Sequence, residues 1–511
     1  MSHLHGFCIF LIIILAYSIC LGVYRLFFSP LSKIPGPRIA ALTYWYESYF
    51  ELWKGGQYFR VVEEMHRTYG PIVRVTPQEI HFQDPDFLNT LYPSRGKNVD
   101  KPEFVAVRSG TPGSLVSTVD HNVHRRRRNA LSSFFSNASI QRLEPIMKDN
   151  IRQMLKRMEK HGERKEVVEI HYMFKAMTSD IVTRHAFADS FKFMYEESYG
   201  KSYYDASDYL VSLTHYFGNF PLLRILASSI PGWVMKTLMP SGRDFLDKQS
   251  WWLNKVREIR RSNDQELMKS TIFGGILSSS LPDEDKTDVR LADEAQLVVS
   301  AGEGTTAYAL QCAVFHLLSN PVELGRLKDE LHTAVQDPSA IPSGSQVINL
   351  PYLNAVINEV LRLHPGVIHR QVRVFPDDPI VYTDKSTGQE YVLPPGTAWG
   401  VSPLGINMNA DIFEDPYEFQ PQRWIDDPTI SRALMTFSKG SRACVGLNLA
   451  RRELVTIVAS IFLKYDVYRG QKGPTLELYD TVRGRDIDAV RDYILPLPAK
   501  RSLGLRVRIR N

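Results

Sequence analysis

Residues 6–24 read GFCIFLIIILAYSICLGVY, an apolar run without a charged side chain and long enough to cross a hydrocarbon layer of about 30 Å as a helix. A cleaved signal carries a cationic start, a shorter apolar stretch and a small-x-small site. No Lys or Arg precedes this run, so an uncleaved single-pass anchor is expected. Arg25, Lys33 and Arg38 follow it, which directs the rest of the chain to the cytosol by the positive-inside bias. Lys33-Ile34-Pro35-Gly36-Pro37 then interrupts any continuing helix. The expected division is a membrane anchor over 1–28, a Pro/Gly hinge over 29–40 and one domain over 41–511.

Beyond the anchor, apolar positions recur with the helical period over 291–318, 322–335, 353–363 and 447–463. Alternation with period two is confined to short runs. These are IVRV after Gly70-Pro71, EIHF after Thr76-Pro77, and IVY and YVL flanking DKSTGQEY. The pattern predicts a mainly α domain with small β-sheets, without internal repeats or low-complexity tracts. Hydrophobic residues make up 44% of 511, enough for a large core. A formal charge of +5 suits a membrane surface or an acidic partner and does not point to nucleic acid.

The four cysteines are Cys8, Cys20, Cys312 and Cys444. Two lie in the apolar run, and no CxxC or Cys/His spacing occurs, so neither a disulfide framework nor a zinc site is expected. Cys312 falls in a helical apolar pattern and reads as a packing residue. Cys444 differs, standing in FSKGSRACVG over 437–446. A thiolate needs positive charge or a metal to hold its proton off, and Lys439 and Arg442 are close in sequence. Gly440 and Gly446 let the backbone amides turn toward the sulfur, Phe437 offers a flat wall, and the helix beginning near Leu447 aims its positive end back at it. This is a caged thiolate suited to a metal that brings most of its own ligands, as haem does.

Two other constellations stand out. In LADEAQLVVSAGEGTTAYALQCAVFHLLSNP, Gly302 and Gly304 interrupt a long helix although each costs about 1 kcal/mol against alanine. They serve either a close helix crossing or a widened groove beside Thr305 and Thr306. In VINEVLRLHP, Glu359 and Arg362 share one helix face and are crowded by apolar neighbours, which favours a buried pair with further partners. The basic run HNVHRRRRNALSSFF reads on its own as a solvated face.

FSKGSRACVG matches in full the FxxGxRxCxG signature of the cytochrome P-450 family of haem-thiolate monooxygenases, and the chain resembles that family from about residue 30 to its end. The resemblance implies a single cytochrome P-450 fold domain holding haem b. It makes Cys444 the axial iron ligand and Arg442 a partner of a haem propionate, with Phe437 and Gly440 shaping the loop. His124 and Arg128, four residues apart, and Arg373 in HRQVRVFP resemble further propionate contacts, with Arg370 a substitute. AGEGTT resembles AGx(D/E)T(T/S), which places Thr305 at the oxygen-activating position. The usual acid is replaced by Gly304, and Glu303 stands one residue earlier, about 100° round the helix. Thr305 is therefore expected to act with ordered water, with Glu303 or a carboxylate elsewhere supplying protons. Glu359 and Arg362 resemble ExxR, and Arg423 in FQPQRW looks like its third member, bracing the cysteine loop. Some of Arg125, Arg126 and Arg127 are expected to face outward to meet an acidic electron donor.

The family reading further implies O2 and NADPH-derived electrons as co-substrates. No flavin or NADPH motif is fused to the chain, so NADPH–cytochrome P-450 reductase is the expected partner, with cytochrome b5 as a supplement. The setting would be the endoplasmic reticulum membrane, with the catalytic domain cytosolic. Segments such as ALTYWYE, GPIVRVTPQEIHF and DTVRGRDIDAVRDYILPLP are most similar to the fungal secondary-metabolism branch that includes trichodiene oxygenase, which implies a lipophilic, terpenoid-like substrate. Candidate pocket walls are EFVAVRSGTPGSLVSTVD, YFGNFPLLRILASSIPGWVMKTLMP, residues 367–369 and the DYILPLP tail. Alternatives are a haem-thiolate isomerase, dehydratase or peroxide-dependent enzyme that needs no reductase, and, more remotely, a haem sensor.

Overall fold

The long glycine-bearing helix is the axis around which the other elements pack. It runs over Asp288–Ser319, 32 residues, or about 48 Å at 1.5 Å per residue. Thr287 caps its start by accepting the Arg290 N–H. Pro321 opens the next helix, Pro321–Ala334, at the position where a missing N–H does no harm. The structure, a computed structural model, describes every residue except Met1 and Pro338.

Helices Ile170–Phe187, Arg243–Arg261, Pro351–Leu363 and Leu447–Lys464 pack against the axis. One main core runs through them, with Met154, Phe174, Leu310, Cys312, Ile357 and Val458 fully buried. The four helices read from periodicity are present to within a few residues, because a 3.6-residue apolar stripe has no stable alternative once one face is covered.

The sheets are small. Ile72–Arg74 and Glu79–Phe82 pair antiparallel with Ile72 opposite Phe82. The second strand runs parallel to Ala398–Gly400, which pairs with Arg373–Val374 to complete four strands. Ile380–Thr383 and Glu390–Leu393 form the expected hairpin. A second four-stranded sheet joins Val167–Glu169, Arg506–Arg510, Thr475–Leu478 and Asp466–Val467. These strands of two to five residues are too short for an alternation pattern to reveal.

The apolar N-terminus forms the helix Ser2–Val23 and a π-helical turn over Tyr24–Phe28. The span His3–Phe28 is long and apolar enough to cross a membrane, and none of it is buried in the protein. The Pro/Gly stretch ends the helix as expected but packs as a strap. Leu31 and Ile34 are buried beside Ile72, Ile80 and Phe82. Arg74 donates its backbone N–H to the Pro35 carbonyl and its Nη1 to the Arg25 carbonyl, each at 2.8 Å. A Cβ on Gly36 would lie 2.7 Å from the Arg74 carbonyl oxygen, so glycine there serves close packing more than freedom.

Candidate active site

Cys444 stands between the turn Gly440–Arg442 and the helix Leu447–Lys464. Its N–H donates to the Phe437 carbonyl at 2.9 Å. Burial raises the thiol pKa, opposed by the Gly446 and Leu447 N–H groups and the Arg128 guanidinium, the donor set a thiolate requires. Gly440 is fixed by its surroundings: φ is +71°, and an added Cβ would meet the Tyr92 carbonyl oxygen at 2.5 Å. Arg128 Nη1 donates to the Ala443 carbonyl at 2.6 Å and so clamps the loop as well as facing the sulfur.

Beside this loop, basic groups from four segments converge. Arg442 donates to the Val99, Thr118 and Val119 carbonyls at 2.8, 2.7 and 2.6 Å, leaving two of its five N–H groups for another acceptor. Arg373 Nη1 donates to the Val372 carbonyl at 2.8 Å, while its buried Nε has no partner. Burial and the neighbouring Arg373 hold Arg442 down at about 9, with Asp100 and Asp120 offsetting only part. His124 is held down at about 2 by burial and by Arg442, Arg128, Lys101 and Arg373. Lys101 is held well below the usual lysine range by burial, Arg373 and Arg442. Cations that depress one another in a buried place fit an anionic ligand bearing more than one charge. Lys101 was missed in the sequence, where a lone lysine in DKPEF carries no spacing signal.

On the long helix, the two glycines have different duties. A Cβ on Gly302 would lie 2.9 Å from Val182 Cγ2, whereas one on Gly304 would meet nothing within 4 Å. The first permits a close helix crossing and the second leaves a groove. Thr305 Oγ1 donates to the Ala301 carbonyl at 2.8 Å. Gly366 gives it room, since a Cβ there would stand 2.9 Å from Thr305 Cβ.

Glu303 corrects an expectation. Its carboxylate accepts from Ser179 Oγ at 2.7 Å and Tyr203 OH at 3.0 Å, and its carbonyl from Thr178 Oγ1 at 2.9 Å. Burial raises its pKa to about 7 against those two hydroxyl donors. Two positions along a helix is about 200°, so Glu303 faces the helices Ile170–Phe187 and Lys201–Ser212, away from Thr305. It is not placed to supply protons there.

Beneath the cysteine loop, Glu359 and Arg362 are completely buried. Arg362 donates to both Glu359 oxygens at 2.8 and 2.7 Å and to the carbonyls of Asn407, Pro416 and Glu418 at 3.1, 2.6 and 3.1 Å. That accounts for all five of its N–H groups. Glu359 also accepts from Trp424 Nε1 at 2.9 Å and the Gln420 N–H at 3.0 Å. Arg423 lies 3.3 Å from Glu359, yet its Nε makes no well-formed hydrogen bond, so Trp424 is the third hydrogen-bonding member. Asn407 completes the brace: its Oδ1 takes the Met435 N–H at 2.9 Å and its Nδ2 donates to the Arg362 carbonyl at 3.2 Å.

A profile of the Cytochrome P450 family matches residues 37–481. This chain belongs to the cytochrome P450 family. The P450 is 35% identical over 515 residues to the cytochrome P450 monooxygenase astB of Talaromyces wortmannii, covering 98% of this chain and 97% of the relative. It is 35% identical over 503 residues to a fusicoccadiene C-8 hydroxylase of Phomopsis amygdali, covering 95% and 93%. It is 34% identical over 496 residues to the tryptophan 6-hydroxylase fscE of Fusarium equiseti, covering 96% and 94%.

Membership implies a haem-thiolate iron cofactor, and the residues of this P450 fit one. Cys444 offers the sulfur, the cluster of Arg442, Arg373, Lys101, His124 and Arg128 suits a doubly carboxylated edge, and Gly304 leaves clearance beside Thr305. The basic run is less free than its sequence suggested. Arg126 and Arg127 are tied to Asp285 at 2.8 and 2.7 Å, while Arg125 is exposed. Arg370 does not join the cation cluster, being paired with Glu47 and Glu79 at 2.7 Å each.

Proposed function

We propose that this P450 is a membrane-anchored monooxygenase that hydroxylates a lipophilic small molecule, a terpenoid or related fungal secondary metabolite. O2 and NADPH-derived electrons would be delivered by NADPH–cytochrome P-450 reductase in the endoplasmic reticulum membrane, with cytochrome b5 as a second donor. Haem bound at Cys444 supplies oxygen activation. The chain's own residues do the rest: Arg442, Arg373, Lys101, His124 and Arg128 bind the carboxylates, and Arg128 and Phe437 orient the loop. Thr305 holds a proton at Oγ1, and Gly304 and Gly366 keep space beside it.

One observation carries the lipophilic substrate. Leu222, Leu226, Trp233 and Leu238 are 75%, 64%, 75% and 65% exposed on the helices Pro221–Ser229 and Gly232–Leu238. The nearby Trp45 ring lies 6.4 Å from Phe220. Such a face on a chain with an apolar anchor belongs at a bilayer surface and supports delivery of substrate from lipid. The relative named for fusicoccadiene supports the terpenoid class.

The test is reconstitution in membranes with reductase and NADPH, followed by mass spectrometry of candidate terpenoids. An added oxygen atom that requires both NADPH and O2 is expected, and Cys444→Ser should abolish it together with the carbon-monoxide band of thiolate-bound haem. The position of Glu303 and the glycine before Thr305 favour a second reading, an isomerase, dehydratase or peroxide-dependent enzyme. Product formed without NADPH or reductase would select it.

A further inference from the structure

Segments read from the sequence as pocket walls meet in a buried ionic network. Arg108 Nη1 donates to His369 Nε2 at 3.1 Å, and Arg108 Nη2 lies 3.6 Å from Glu47. His369 Nδ1–H donates to Asp492 Oδ2 at 2.8 Å, and Asp492 Oδ1 accepts the Ile494 N–H at 2.8 Å. His215 Nε2 lies 2.6 Å from the Asp492 carbonyl oxygen and 3.0 Å from Glu51 Oε2. Arg370 closes the far side onto Glu47 and Glu79. The side chains of Glu51, His215, His369 and Asp492 are all 5% exposed or less.

The network joins five stretches distant in sequence: the turn Tyr49–Trp53 with its preceding helix, the loop at Arg108, the helix Thr214–Asn219, the loop at His369, and the strand Arg491–Tyr493. Its weak link is identifiable. An imidazole nitrogen that accepts from Arg108 leaves His369 neutral. With His215 protonated, Arg108, Arg370 and His215 then face four carboxylates, those of Glu47, Glu51, Glu79 and Asp492. Neither oxygen of Glu51 has a well-formed hydrogen bond, so this carboxylate depends on His215 alone. One atom each of Glu51, His369 and Asp492 also lies within 4.8 Å of the others. Both nitrogens of His369 are already engaged by Arg108 and Asp492, however, which argues for a latch and against a metal centre.

We propose that Glu51, His215, Asp492, His369 and Arg108 form a latch across the bilayer-facing mouth of the haem pocket, and that lipophilic ligands pass when the Glu51–His215 link opens. Each side of that link carries apolar side chains that face outward. The Glu51 turn bears Trp53, 67% exposed, and the helix of His215 leads into Leu222. Separating them opens the protein on the side where lipid would lie. Burial alone would lower the His215 pKa, but Glu51 and Asp492 more than offset it and the net direction is up. The remaining groups around the ring are Tyr493 and His369, with ring centres 4.8 and 6.3 Å away, and beyond them Arg108, Glu47 and Arg370. The latch is therefore firm while His215 is charged and loosens as pH rises through its raised value.

The inference rests on haem binding, not on the substrate class. Its test uses the full-length, haem-loaded enzyme reduced with dithionite and n-butyl isocyanide, a neutral ligand at every pH, with association followed in the Soret band. The wild-type rate should rise about threefold or more from about pH 6 to about pH 8.5. Glu51→Gln and His215→Asn should bind fast at both ends of that range, without the pH dependence. Wild-type profiles in variants that retain the carbon-monoxide band would overturn the latch. If neither variant loads haem, wild-type hydrogen exchange decides. Faster intrinsic-rate-corrected exchange confined to 105–112 and 214–219 at the higher pH supports the latch, and exchange unchanged with pH overturns it.

Discussion

Two buried ionic networks lie on either side of the candidate haem site, and they are built differently. The brace under the cysteine loop uses both Glu359 oxygens and all five Arg362 N–H groups, with carbonyls, an indole and an amide filling the remaining places. The latch over the pocket contains histidines and one carboxylate with no hydrogen bond of good geometry. A saturated pair of permanently charged groups gives rigidity, because every rearrangement strands a charge. A pair resting on one imidazole can be released by a proton. The cofactor side is thus built to hold and the substrate side to let go.

The largest effect should come from breaking the brace. Arg362→Ala strands the Glu359 carboxylate in the core, a loss of about 3–5 kcal/mol. The purified protein should lack haem, read as the ratio of Soret to protein absorbance, and a fully loaded variant would refute the bracing role. Gly440→Ala sharpens the point without touching a charge. It combines a positive φ with a backbone clash at Tyr92, costing about 2–3 kcal/mol, and should also lower haem content.

Gly366 lies between the two networks, three residues after Leu363 of the brace helix and three before His369 of the latch. Gly366→Ala sets a methyl group against Thr305, with a strain of about 1–3 kcal/mol. Haem content should persist while product formed per NADPH consumed falls. Thr305→Ala should show the same uncoupling with more peroxide released. Normal coupling in both would remove Thr305 from the reaction.

The brace was far more legible in the sequence than the latch, for a physical reason. Glu359 and Arg362 are three residues apart on one helix, and the cysteine loop is a contiguous stretch, so local spacing exposes both. Asn407, Trp424 and Lys101 act through contacts that no spacing announces. Glu51 and His215 are 164 positions apart in the chain and meet only through the folding of helices around them. Glu303 shows a subtler limit. Its helical phase was known to be offset from Thr305, but which side the pocket occupies depends on Ser179 and Tyr203, residues on other helices.

The smallest expected effect separates the two networks most cleanly. A histidine whose folded pKa is raised lends stability that is fully present below its unfolded value, near 6.5, and lost as pH rises through the folded value. His215 is raised by Glu51 and Asp492. Glu51→Gln removes the first of these, so it should cost on the order of 1 kcal/mol near pH 6 and progressively less at higher pH. The gap in thermal midpoint between wild type and this variant should therefore close as pH rises. The guanidinium of Arg362 stays charged throughout that range, so the gap opened by Arg362→Ala should hold constant. A Glu51→Gln gap equally indifferent to pH would make the latch as fixed as the brace, and the contrast between the two faces of the site would fall.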